Sequence, residues 1–66
     1  RDVKGAEQAF REAANLDPQL INAWVMIARI LAATDDMAGA RVALDEALIA
    51  NPDSDFLKAL RMEAGQ

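Results

Sequence analysis

The apolar residues of this chain fall into four stretches with the three- and four-residue spacing of α-helices. The stretch Ile21–Ala33 is apolar nearly all the way round, so a helix formed there has to be covered on more than one side. Residues 2–15, in contrast, place their apolar and small side chains on one face. We therefore expect the second helix to lie between the helices on either side of it.

Prolines and polar residues mark the ends of these helices. Because the residue before a proline is pushed out of the helical region, Pro18 ends the first helix and Pro52 ends the third, which we expect over Met37–Ala50. Residues 34–36, Thr-Asp-Asp, form a polar connector whose side chains can cap the third helix. A fourth helix is expected after Ser54, and it is amphipathic enough to be covered on one side only. Its inward side chains are predicted to be Phe56, Leu57, Leu60 and Ala64.

The chain contains an internal repeat, because residues 1–20 align with residues 35–54 at a constant offset of 34 positions. Phe10 aligns with Leu44, so the apolar character is kept where the residue differs. A period of 34 residues built from two helices and short turns is the tetratricopeptide pattern. The identical pairs are Asp2 and Asp36, Gly5 and Gly39, Ala6 and Ala40, Ala9 and Ala43, Glu12 and Glu46, Ala13 and Ala47, and Pro18 and Pro52.

On these residues the chain resembles the tetratricopeptide repeat family. The positions that match the full repeat are Trp24, Ile27, Ala28, Leu31, Ala40, Leu44, Ala47 and Pro52, and those that match one repeat earlier are Ala6, Phe10, Ala13 and Pro18. The resemblance implies an all-α fold in which antiparallel helix pairs stack as an α-solenoid. Residues 1–20 would then be the second helix of a partial repeat, 21–54 one full repeat, and 55–66 a capping helix or a partial repeat.

The same positions predict the core. Small residues let paired helices approach closely, and large residues fill the space between them. We therefore interpret Trp24 as a core residue and not as a platform for stacking a ligand. The predicted core is Ala6, Phe10, Ala13, Trp24, Ile27, Ala28, Leu31, Ala40, Leu44 and Ala47.

Composition argues against catalysis and metal binding. Among its 66 residues the chain has no cysteine and no histidine, so thiolate ligands, the commonest metal ligand and the usual general base are all missing. Asn51, Asp53 and Asp55 alternate like the first ligands of a calcium-binding loop, but Phe56 stands where glycine is required and Met62 where the bidentate glutamate belongs. We expect no catalytic residue, no metal and no cofactor, and thus no enzyme.

The charge balance argues against nucleic acid and anionic membranes as partners. The net charge is −4, and the seven basic residues are scattered along the chain, whereas both partners require a positive face. The longest apolar run is far shorter than the roughly 20 residues of a membrane span. Since the sequence opens on Arg1 without a leader, we expect a soluble piece of a longer protein.

The family resemblance implies a binding surface. Its members hold extended peptides or partner helices on a concave face lined by the first helix of each repeat. A subclass grips a terminal carboxylate with a lysine and an asparagine, at positions that Val25 and Arg29 occupy here. The chain is therefore not expected to be a carboxylate clamp, although Arg29 can still pair with an acidic group. The concave-face positions of the second helix are Asn22, Val25, Arg29, Ala32 and Ala33.

The sequence thus predicts a protein-interaction scaffold that binds a peptide or a partner helix. The alternative is a structural or oligomerising segment of a larger enzyme or assembly factor with no ligand of its own. The first helix suggests such a role, because Ala6, Phe10 and Ala13 would be exposed without a preceding helix. This face is predicted to support association between copies of the chain.

Overall fold

The structure is a computed structural model that describes residues 3–65, and these residues form four α-helices joined by short turns. The helices are α1 (Val3–Leu16), α2 (Ile21–Ala33), α3 (Met37–Ala50) and α4 (Asp55–Ala64). This architecture confirms the all-α fold and places α2 and α3 at their predicted bounds. Asp2, the predicted first residue of the first helix and the repeat partner of Asp36, lies outside the described residues.

Each helix packs against its neighbours in sequence, α1 on α2, α2 on α3, and α3 on α4. Because the turns between them are short, successive helices run in roughly opposite directions. The chain consequently forms a slab with Cα extents of 33 × 29 × 13 Å, in which α2 and α3 have a helix on either side.

The central helix α2 supplies the largest share of the core. Trp24 and Leu31 are buried, and Ile27 is completely inaccessible to solvent. The remaining buried residues of α2 are Ala23, Val25 and Ala28. Because α1 covers one side of α2 and α3 covers the other, little of α2 faces solvent. This explains its nearly continuous apolar sequence.

Alanine is the commonest residue of the core. Ala28, Ala40 and Ala47 were predicted to allow close helix packing, and all three are buried. A methyl side chain lets two helix backbones approach closely, while Trp24 and Leu44 fill the space that remains. The other buried alanines are Ala14, Ala23, Ala43 and Ala64.

The first helix differs from the prediction. Ala6, Phe10 and Ala13 were expected to be core residues, but the structure leaves all three half-buried. Phe10 and Ala13 pack against the core from its edge, and Ala14 is the residue of α1 that is buried. Within the described residues α1 packs mainly on α2, so its side chains are covered mainly from one direction.

The connection between α2 and α3 is tight. Asp35 adopts a left-handed backbone with φ of 63°, and the N–H groups of Asp35 and Asp36 donate to the carbonyls of Ala32 and Leu31 at 3.1 and 2.8 Å. These two bonds form a Schellman motif at the end of α2. The Asp36 carboxylate then accepts from the N–H of Gly39 at 2.8 Å and caps α3, as the polar connector predicted.

Gly39 makes room for this cap. From the sequence, a glycine inside a helix suggests a close approach by other backbone. The structure shows a different reason, because a Cβ atom on Gly39 would lie 2.8 Å from Cγ of Asp36. The nearest neighbour of such a Cβ atom is therefore the capping carboxylate of Asp36. The expectation that other backbone approaches Gly39 is wrong.

The carbonyl oxygen of Pro18 joins three segments of the chain. It accepts a hydrogen bond from Nε1 of Trp24 at 2.8 Å and another from Nδ2 of Asn51 at 2.9 Å. The amide of Asn51 also donates to the carbonyl of Ala47 at 3.1 Å. The turn between α1 and α2 is thereby tied to the buried tryptophan and to the end of α3.

Few residues attach the last helix, α4, to α3. Leu57 and Ala64 are buried, and Arg61 pairs with Asp45 of α3 at 2.7 Å. Phe56 was predicted to face inward with Leu57, but it is 56% exposed. With α3 as its neighbour, α4 has a buried face too narrow to include both adjacent residues, so one of them faces solvent.

Candidate binding groove

An open groove runs between α2 and α4 and has α3 as its floor. We call it the central groove. Its lining residues are Val25, Ala28, Arg29 and Ala32 from α2, Met37, Ala40 and Leu44 from α3, and Leu60, Glu63 and Ala64 from α4.

Small side chains create this hollow. Ala28 and Ala32 form the wall on α2, Ala40 lies on α3, and Ala64 lies on α4. A larger side chain at any of these positions would fill part of the space. The groove has a volume of about 270 Å³. This is slightly below the roughly 300–1,000 Å³ of small-molecule sites, and it suits a few inserted side chains of another protein.

The predicted concave-face residues divide into two groups. Val25, Arg29 and Ala32 line the central groove, with Val25 buried, Ala32 half-buried and Arg29 exposed. Asn22 and Ala33 are exposed on α2 but do not line the groove. The predicted face therefore extends beyond the hollow, and only its middle part contributes to the groove.

The residues that α3 and α4 contribute were not predicted as binding residues. Met37 and Leu60 are apolar, and Glu63 is the acidic residue of the lining. Their sequence positions carry no distinguishing signal, because they line one groove with Arg29 only when α3 packs on α2 and α4 packs on α3. An amphipathic pattern indicates that a helix has an inner face, but it does not show which other helix borders that face.

Two charged side chains lie at the groove. The side chains of Arg29 and Glu63 are exposed, and neither side chain forms a hydrogen bond or ion pair with another residue within 3–65. The other arginines of this range do have partners, since Arg11 pairs with Glu7, Arg41 donates to a carbonyl, and Arg61 pairs with Asp45. The positive charge of Arg29 is therefore available to a bound molecule.

None of the helices in residues 3–65 is both long and apolar enough to cross a membrane. The same part of the chain contains no group of three or more acidic, histidine or cysteine side chains placed to hold a metal ion.

Short helices that pack on their sequence neighbours, together with an internal period of 34 residues, define a helical-repeat module. The family model for the tetratricopeptide repeat matches residues 1–62, and the chain belongs to this family. Comparison with curated proteins and with solved structures finds no match. Tetratricopeptide repeats generally mediate protein–protein interaction.

Proposed function

We propose that the chain is an interaction module whose central groove binds a peptide or a helix of a partner protein. The groove itself carries this proposal, because it is open, lined mainly by apolar side chains and bordered by exposed charges. An amphipathic helix can lay side chains spaced three or four residues apart into such a groove. The family's general role in protein interaction supports the same function.

Two neighbouring alanines of α2 provide a matched test. Ala32 lines the groove and Ala33 does not. Glutamate at position 32 places a charge in the apolar hollow, whereas glutamate at position 33 changes the same helix outside it. We expect Ala32→Glu to reduce partner capture by the immobilised chain at least about tenfold, and Ala33→Glu to leave capture within about twofold of wild type.

Circular dichroism should show the same helicity for both variants and for wild type, so that lost capture reports binding. Equal capture of every partner by both variants would contradict the groove as the binding site.

We further propose that the module binds without doing chemistry of its own. The absence of histidine and cysteine from the whole sequence supports this proposal, since the commonest general base and the strongest nucleophile are missing. Turnover of any substrate by the purified chain, lost on substitution of one of its acidic residues, would contradict it.

A second candidate role is association between copies of the chain through α1. Phe10, Ala6 and Ala13 are half-buried, so this patch is smaller than the sequence predicted, yet it still exposes apolar surface. Light scattering over a range of concentrations should show a rising mass for wild type and a constant monomer mass for Phe10→Lys. The matched control is Phe56→Lys on α4, which should associate like wild type. A monomer mass for the unchanged chain at all concentrations would exclude this role.

A further inference from the structure

The charge of Arg29 stands next to apolar surface that has no charge of its own. Val25, Ala28 and Ala32 are its neighbours along α2, and Leu44 of α3 completes this side of the groove. An arginine in this setting offers several N–H donors in a fixed geometry that matches a carboxylate. Since no described residue pairs with it, the guanidinium can bind an acidic group without breaking an existing contact.

The opposite wall has the opposite sign. Glu63 lies on α4 among the groove residues, and its carboxylate has no ion-pair partner among residues 3–65. The groove therefore has a positive wall on α2, an apolar floor and a negative wall on α4. A ligand with several acidic side chains would meet repulsion from Glu63, whereas one with a single acidic side chain on the α2 side would not.

On this basis we propose that the groove recognises a segment with a large aliphatic side chain beside one carboxylate, the aliphatic group entering the alanine-lined hollow and the carboxylate pairing with Arg29. This inference rests on the groove being the binding site and specifies the chemistry of its partner. The acidic group belongs to an internal side chain of the segment. A free chain terminus is not required.

Synthetic peptides test this chemistry directly. Three helix-forming peptides of about 15 residues, acetylated and amidated so that no terminal charge remains, share a pair of leucines four positions apart. They differ at one adjacent position, which is Glu, Gln or Lys. Titration of the isotope-labelled chain by NMR gives both the location of binding and its Kd.

We expect the Glu peptide to bind about three- to fivefold more tightly than the Gln peptide, and the Lys peptide to bind most weakly, with shift changes at Ala28, Ala32 and Leu60. The preference should decrease as salt is added, because the pair is exposed. Arg29→Gln should remove the difference between the Glu and Gln peptides. Lys58→Gln, which removes a positive charge from α4 outside the groove, should preserve it.

The result that overturns this inference is distinguishable from failure of the groove itself. If the peptides shift groove residues but bind equally whatever the variable residue, the groove is a binding site and the acidic preference is wrong. If no peptide shifts any groove residue, the inference also fails, and the capture experiment with Ala32→Glu and Ala33→Glu then decides separately whether partners use the groove.

Discussion

Helices α2 and α4 show how differently two helices are used when one has two neighbours and the other has one. α2 lies between α1 and α3 and buries large side chains such as Trp24, Ile27 and Leu31. α4 packs on α3 and buries Leu57 and Ala64. The number of covered sides decides how much of an apolar sequence becomes core, and it also decides how strongly each helix is held.

The register of the repeat changes between these two helices. The residue 34 positions after Trp24 is Lys58, which is exposed, whereas Leu57 at 33 positions is fully buried. In the same register Arg61 follows Ala28, and it pairs with Asp45 at the surface. At this position a charged residue of α4 thus replaces a small side chain of α2.

The strongest test of this difference is the removal of Trp24. Trp24→Ala should destabilise the fold by about 3–5 kcal/mol, because it removes a large buried ring from the most enclosed helix. The total free energy of unfolding of a domain this small is of the same order. The variant should therefore be largely unfolded. Thermal and urea melts followed by circular dichroism measure the loss.

Trp24→Phe separates the ring from its hydrogen bond. This variant keeps most of the apolar volume but loses the donor to the Pro18 carbonyl, and a smaller cost of about 1–2 kcal/mol is expected.

A melting curve for Trp24→Ala that coincides with wild type would show that α2 is not the centre of the core.

A smaller and more local effect is expected from α4. Leu57→Ala should cost about 2–4 kcal/mol, but the loss should detach α4 while α1, α2 and α3 stay folded, because α4 packs mainly on α3. Amide hydrogen exchange should therefore rise in Asp55–Ala64 and change little elsewhere.

The matched control lies next to Leu57 in the sequence. Phe56→Ala removes an exposed side chain and should change stability by less than about 0.5 kcal/mol. Loss of protection in all helices at once on Leu57→Ala, or an equal cost for Phe56→Ala, would contradict the one-sided attachment of α4.

The smallest predicted effect concerns the two helix ends. After α2 the left-handed backbone position is held by Asp35, with φ of 63°, whereas after α4 Gly65 has a φ of −82°, which any residue can adopt. Asp35→Gly should stabilise the protein by about 0.5–1 kcal/mol, because glycine adopts positive φ without steric cost. Gly65→Ala should give no comparable change, and equal melting shifts for the two variants would argue against strain at Asp35.

The helix bounds could be predicted from the sequence because local signals determine them. Pro18 and Pro52 keep the residue before each of them out of the helical conformation and so end α1 and α3. Asp36 supplies the cap that begins α3. The repeat then indicated how the helices pair, although its two copies differ in burial, because Ala40, Leu44 and Ala47 are buried and Ala6, Phe10 and Ala13 are half-buried. The proline and capping signals are independent of any distant residue.

What could not be predicted depends on which helix covers which face. Phe56 and Leu57 are both compatible with an inward face, and only the position of α3 buries the second of them. Val25 was predicted as part of an exposed binding face, yet it lies buried at the wall of the groove. Glu63 likewise lines the central groove because of where α4 packs, and no local sequence pattern specifies that position.

The abundance of alanine in the core has a thermodynamic consequence. An alanine loses no rotamer freedom on burial, but it also removes little apolar area from water. Unfolding such a core hydrates less hydrocarbon than unfolding one built from leucine and phenylalanine, so its heat capacity increment per residue is small. The stability curve of this protein is therefore expected to be shallow, with little loss of folded state on cooling.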